Sequence, residues 1–319
     1  MIQASAQGLA WTAAELAADP TWTITANGQM ERVVSDLMGW AALQEDPEEA
    51  LARGEWASTR VGEAQLLRQS CQALVAQLAR GRGVARLTGL QGLNPSEQRL
   101  LFLAIGLVLG RADRTYGLLY GVSDSGMSHL ERPIPVSQTR AATGMHTDSS
   151  QRHVHPRWVG LACVRPAASG GASALVSVRT VLGHLLRHHP ATVARLRQSF
   201  IRDVVTPGGA RDPEAITANA FPIVSGAAAD PILRYMRLWI ERGQQEVGQP
   251  LGPRALADFD RLDAALNAPA FRHVFALEAG DLLFIDNHRI AHDRTAYLDD
   301  PSQPRLMLRL WLNERDSGT

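Results

Sequence analysis

The chain contains no lysine; all 32 of its basic residues are arginine. Chemistry that needs a lysine amine is therefore excluded: Schiff-base catalysis, pyridoxal phosphate attachment and a P-loop. Any side chain that anchors a carboxylate must be arginine or a neutral donor. Cysteine is scarce as well. Cys71 and Cys163 both lie in apolar stretches, which argues against a disulfide framework or a cysteine zinc site and predicts two small buried residues. No apolar run is long: the longest, residues 100–109, is too short to span a bilayer. The N-terminus shows no charged start followed by an apolar segment, so no signal peptide is expected and the expected location is cytoplasmic. No charge of one sign dominates either. The 32 acidic residues balance the basic ones without a basic run, which argues against nucleic acid as a partner.

What is present is an ordinary globular composition, 319 residues with 45% hydrophobic, enough to bury a large core. Within it two short segments stand out: His146-Thr147-Asp148, and Asp286-Asn287-His288-Arg289-Ile290-Ala291-His292. In a strand, residues i and i+2 share a face, so His146 and Asp148 can bite one ion while Thr147 points away. A distant histidine then closes one face of the coordination shell and leaves the other open. Two histidines and one carboxylate with open positions is the arrangement of non-heme Fe(II) oxygenases. His288 and His292 compete for the third place, and their spacing alone leaves the choice open. His153 and His155 form a His-x-His that raises a cupin-like or metallohydrolase alternative, but no suitably placed glutamate follows them. A pair before Pro156 reads better as solvated or near a cavity mouth. His184, His188 and His189 read as surface residues of a helical stretch.

Beyond His292 the sequence Arg305-Leu306-Met307-Leu308-Arg309-Leu310-Trp311-Leu312-Asn313 alternates without a miss and predicts a strand. One reading puts the leucines in the core and the arginines in water. In the other both faces are covered, with the leucines under outer helices and the arginines lining a cavity. An arginine 13 residues after a metal-ligand histidine could then hold the far carboxylate of a dicarboxylic cosubstrate through its planar fork.

Organisation is legible only coarsely. Residues 64–80 read as one helix, with Leu66, Leu67, Cys71, Leu74, Val75 and Leu78 on one side. Asn94-Pro95-Ser96-Glu97 opens a second helix with a capping Asn, Pro at the first position and Glu three residues after the cap. It is almost wholly apolar from Leu100 and should be buried against a sheet. A Gly/Pro/Ala-rich stretch spans 206–231, helices are expected over 233–242 and 255–266, and strands resume near Val274. One domain, 1–319, is expected, with 1–65 an N-terminal extension of unknown role. The sequence carries no signal for an oligomeric state.

Taken in order, His146-x-Asp148, Gly170-Gly171-Ala172-Ser173, Gly280-Asp281 through Asp286-Asn287, His292-Asp293-Arg294 and Arg305-xxx-Arg309 resemble the taurine dioxygenase/TfdA-type Fe(II)- and 2-oxoglutarate-dependent oxygenases. The Asp-Asn-x-Arg-x-x-His-x-Arg form and the Arg-xxx-Arg pair are most similar to the clavaminate synthase and arginine β-hydroxylase branch. The resemblance implies an α+β fold, a double-stranded β-helix (jelly-roll) barrel with flanking helices, and insertions at 113–145 and 204–250 over its mouth. It implies that His146, Asp148 and His292 bind iron, that Arg305 binds the far carboxylate of 2-oxoglutarate with Ser173 assisting, and that O2 is cosubstrate. Arg309 matches a second arginine that in relatives reaches the substrate or the other end of the cosubstrate, and is expected here as a substrate contact; Gln138, Tyr235 and Arg237 are further expected contacts. The expected reaction is hydroxylation of an unactivated C–H in an amino acid or amino-acid-derived metabolite of a natural-product pathway, the partner being that small molecule, with no membrane partner. Relatives also desaturate or close rings. A 2-oxoglutarate-independent cupin-type dioxygenase, a metallohydrolase and a non-catalytic binding protein are the rival readings.

Overall fold

A computed structural model describes residues 9–128, 134–205 and 211–315, so parts of both expected insertions lie outside the described residues. Eight strands position the site: β1 (Thr23–Thr25), β2 (Val84–Thr88), β3 (Trp158–Arg165), β4 (Ser173–Ser177), β5 (His273–Phe275), β6 (Leu282–Asp286), β7 (Ile290–Arg294) and β8 (Leu306–Asn313). The larger sheet runs β1-β2-β6-β3-β8, and the short strands Arg111–Ala112 and Tyr120–Val122 pair onto β8. Apart from the parallel β1–β2 pair its ladders are antiparallel. The smaller sheet runs β5-β4-β7, also antiparallel.

Strand alternation sorts each strand's side chains into separate cores. From β6, Leu283 and Ile285 join Val159 of β3, Leu175 of β4, Ile290 of β7 and Met307 and Trp311 of β8 in one buried cluster between the sheets. Leu282 and Phe284, with Leu308, Leu310 and Leu312 of β8, enter a second cluster under the helices α1 (Gly28–Ala41) and α2 (Pro95–Leu109). Ala174, Val176 and Ala291 back onto a third cluster built with α3 (Val178–His188) and α5 (Pro253–Leu266), near α4 (Arg237–Glu246). Both faces of β8 are therefore covered, and the reading that put its arginines in water is set aside. Arg305 is 6% exposed. Among the described residues no helix is long and apolar enough to cross a membrane.

Helix α2 begins as its sequence dictates, with Asn94 accepting from the Ser96 and Glu97 amides and Glu97 accepting from the Asn94 amide. Gly160 on β3 makes room for it: a Cβ there would lie 2.9 Å from the rings of Phe102 and Phe284. Residues 64–80 are helical as expected but form two helices, Val61–Ser70 and Gln72–Arg80, broken at Cys71, and Val75, expected on the apolar side, is 37% exposed. The helix expected from 233 starts only at Arg237, because Leu233 ends the strand Asp230–Leu233. The N-terminal segment belongs to the core. Met30, Val33, Leu37 and Trp40 share the cluster of α2 and β8, while Ser177 Oγ donates to Leu9 O (2.6 Å) and Thr180 Oγ1 to Trp11 O (2.9 Å).

Candidate iron and 2-oxoglutarate site

His146 and His292 stand opposite each other in an antiparallel bridge, each amide donating to the other's carbonyl at 3.0 and 2.8 Å. The segment holding His146 is not the strand expected from alternation; beyond that bridge, 147–150 has no regular pairing. Thr147 enforces the alternation instead. Its hydroxyl donates to Leu233 O (3.1 Å) and accepts from the Tyr235 amide (3.0 Å), which turns it away from its neighbours. His146, Asp148 and His292 consequently offer ligand atoms that all lie within 4.8 Å of one another. His146 Nδ1 bonds Gly144 O at 2.8 Å, leaving Nε2 for a metal, 3.7 Å from Asp148 Oδ1. His292 Nδ1 is buried without a partner.

Asp148 is held from three sides. Its amide donates to Asn287 Oδ1 (2.7 Å), and Asn287 Nδ2 donates back to Asp148 O (2.8 Å) and to Pro156 O (2.9 Å). Trp311 Nε1 donates to its Oδ2 at 2.7 Å, and Arg309 Nη1 stands 3.4 Å from Oδ1. Burial opposes ionisation of Asp148, but Arg309 and the two site histidines outweigh it and hold the carboxyl below its ordinary range. His292 is pushed down to about 3 by burial and then by His146. A neutral imidazole beside an ionised carboxylate is the donor set a divalent metal requires.

Arg305 lies over the Tyr297 ring (5.1 Å to its centroid), with Arg294 also over it at 4.7 Å. Arg305 Nη1 and Arg294 Nε and Nη1 are buried without hydrogen-bond partners, so donors stand ready where a carboxylate is expected. Gly170 keeps this corner tight: φ is +73° and a Cβ would meet Ala296 O at 2.2 Å. Ser173 lines a small cavity with His292, Leu161 and Leu283.

The remaining expected residues separate. Arg309 lines the pocket beside Asp148, whereas Gln138, Tyr235 and Arg237 do not. Tyr235 is 1% exposed and donates its hydroxyl to Asp263 (2.8 Å), because its backbone is what pins Thr147. Arg237 turns to Glu241, Asp260 and Asp263. Gln138 sits in a 3-10 turn, its carbonyl accepting from Ser125. None of these three residues lines that pocket in the structure. His288 stacks on His155 (4.2 Å between centroids) and bonds Arg157. Arg294 belongs to the His292-Asp293-Arg294 motif, whereas Trp311, Arg202 and Tyr116 are given no role by the sequence; Trp311 shares the face of Arg309 on β8, a usable signal, while Arg202 carries none.

The family model for the taurine catabolism dioxygenase TauD, TfdA family matches residues 57–311. The chain belongs to this family. It is thus a non-heme Fe(II)- and 2-oxoglutarate-dependent dioxygenase with O2 as cosubstrate. Among curated relatives, FR-33289 synthase of Streptomyces rubellomurinus is 25% identical over 250 residues, 75% of this chain and 71% of that protein. A uridine-5'-phosphate dioxygenase of Streptomyces sp is 31% identical over 55% of this chain and 63% of its own length, and clavaminate synthase 2 of Streptomyces clavuligerus is 34% identical over 48% and 43%. Solved structures of the same fold include asparagine oxygenase with Fe(II), 2S,3S-3-hydroxyasparagine and succinate (TM-score 0.64, 20% identity, 92% of this chain and 93% of that one). The iron oxygenase OrfP with Fe and α-ketoglutaric acid superposes with TM-score 0.66 at 16% identity over 92% and 94%.

Proposed function

We propose that this dioxygenase hydroxylates an unactivated C–H bond of an amino acid or amino-acid-derived metabolite in a natural-product pathway. The carrying observation is the convergence of His146, Asp148 and His292 within 4.8 Å, buried between two sheets that we take as the halves of a jelly-roll barrel in one domain. Iron would be held by those three side chains, and 2-oxoglutarate by Arg305, with Ser173 facing the same interior. Bound together, iron(II), 2-oxoglutarate and O2 supply the oxidising power, one oxygen atom passing to the substrate carbon while 2-oxoglutarate leaves as succinate and carbon dioxide.

The chain's own residues set geometry and access. Asn287 and Thr147 fix the backbone of Asp148, and His146 and His292 are fixed by their shared bridge. Arg309 stands beside Asp148 on the pocket wall, where it can orient a substrate carboxylate. Trp311, Trp239 and Met236 supply apolar lining that limits water. Hydroxyarginine and hydroxyasparagine are bound by the structural neighbours, and a uridine phosphate is acted on by one relative, so the substrate is decided by this pocket. Substrate-dependent succinate release across a panel of amino acids, with the product gaining one oxygen by mass spectrometry, tests the reading. A product that has lost two hydrogens instead would shift it to desaturation or ring closure.

A further inference from the structure

The pocket beside Asp148 is polar in a one-sided way. Apart from the site residues His146 and Asp148, the charged side chains that line it among the described residues are Arg202 and Arg309. Arg202 is 4% exposed and makes no ion pair among the described residues; its two Nη atoms donate to the carbonyls of Ser150 (2.8 Å) and Ser149 (2.9 Å), and Nε has no partner. The neighbouring carboxylate of Asp203 is turned to Arg211 (3.1 Å) and Arg242 (3.3 Å). Arg309 meets Asp148, whose charge the metal claims, and otherwise lies among the rings of Tyr116, Tyr120 and Trp311 at 5.4, 5.0 and 4.9 Å. Asp113 reaches the adjoining cavity on the far side of Tyr116, but its carboxylate accepts from the Thr115 amide and Asn313 Nδ2, both at 2.9 Å.

A buried guanidinium without a counter-ion is costly, and carbonyl dipoles offset only part of that cost. An arriving anion would complete the site through charge-assisted bonds, whereas an arriving guanidinium or ammonium would meet two like charges and, among the described residues lining the pocket, no carboxylate but that of the ligand Asp148. We infer that the prime substrate carries a net negative charge, as a second carboxylate or a phosphoryl group, that it presents to Arg202 and Arg309, and that Arg202 sets this preference. The inference rests on the proposed iron site and narrows its substrate from amino-acid metabolites in general to acidic ones.

Calorimetry on the anaerobic Fe(II)- and 2-oxoglutarate-loaded protein, with L-arginine, L-asparagine, L-aspartate and O-phospho-L-serine as probes, tests it. At least one of the two acidic probes is expected to bind about tenfold or more tighter than L-asparagine, with L-arginine weakest. The order of L-aspartate and phosphoserine then tells carboxylate from phosphoryl. In Arg202→Gln the preference should fall about tenfold, and Arg202→Lys should restore part of it. Because Arg202 also holds two carbonyls, Arg309→Gln and the salt dependence of the unaltered protein provide a measure independent of its folding. A panel in which no acidic probe outranks L-asparagine, or a preference unchanged in both arginine variants, overturns the inference. Failure of the underlying site would look different: the unaltered protein would not take up iron at all.

Discussion

Three pairs of histidine rings lie close together among the described residues; His184 and His188 sit on α3, and of the other two only one has a carboxylate converging with it. His146 and His292 lie 4.3 Å apart by ring centroid, His155 and His288 4.2 Å apart. His292, His155 and His288 are all driven toward the neutral form first of all by burial. What differs is the third group. The first pair converges with the carboxylate of Asp148, whereas the second is faced by Arg157, whose Nη1 stands 3.3 Å from His288 Nδ1. On that ground a divalent cation is expected at the first pair and not at the second. Imidazole proximity alone does not make a metal site; the sign of the neighbouring charge does.

The sharpest way to break that contrast is to remove each ring in turn. His146→Ala, Asp148→Ala or His292→Ala should abolish iron retention, measured as metal per chain after desalting, while His288→Ala and His155→Ala should stay loaded. Loss of iron from His288→Ala with retention in His292→Ala would reverse the assignment. Next in size comes Arg305→Gln, which leaves a buried carboxylate short of its bidentate partner and should weaken 2-oxoglutarate binding by roughly 2–5 kcal/mol. Arg309→Gln should act mainly on the prime substrate, and titrating each cosubstrate against both variants would expose an exchange of roles. Smaller still is Asn287→Ala, which frees the backbone of Asp148 from both its clamps. Iron affinity should drop by about 10–100-fold with the ligands untouched, and an unchanged affinity would mean that Trp311 and the bridge suffice.

The least of these effects is on stability. His288 is held down to about 4 and His155 to about 2 against an ordinary 6.5, in each case chiefly by burial. As pH falls below 6.5 the unfolded chain takes up protons that the folded one refuses, so their contribution is present above 6.5 and is lost as pH falls toward 4. Asp286, raised to about 6 by burial, works in the opposite sense over the same window, since the folded state binds its proton more tightly. With three histidines, His292 included, against one acid, Tm should fall by a few degrees between pH 7 and pH 5, and His288→Gln should flatten that slope. A steeper slope in the variant would assign the pH dependence to other groups.

How much of this was legible in the sequence follows from how local each signal is. The Asn94 cap, the buried helix after it and the period-two strand through Arg309 depend on neighbours within a few residues, and all three stand in the structure. Which face of that strand met the interior did not follow from its period, because leucines and arginines are both covered. The break at Cys71 and the late start at Arg237 were hidden because apolar spacing continues through them. At the site, the motif order brought out His146, Asp148, His292 and Arg305, but the same segments also hold Asn287, whose clamp on Asp148 spans 139 residues. Tyr235 is an expected substrate contact from its place within the 204–250 insertion, yet its backbone partner Thr147 and its bond to Asp263 keep it off the pocket lining. Arg202 lies in no pattern at all, and only tertiary packing reveals that it has no ion-pair partner among the described residues.

The most direct test of the central claim is an anaerobic absorbance titration of the protein with Fe(II) and then 2-oxoglutarate. A weak visible metal-to-ligand charge-transfer band that appears only with both, persists in His288→Ala and is missing in His292→Ala is the result expected here. An iron-loaded protein that gives no such band, or one that keeps it in His292→Ala, would contradict the account.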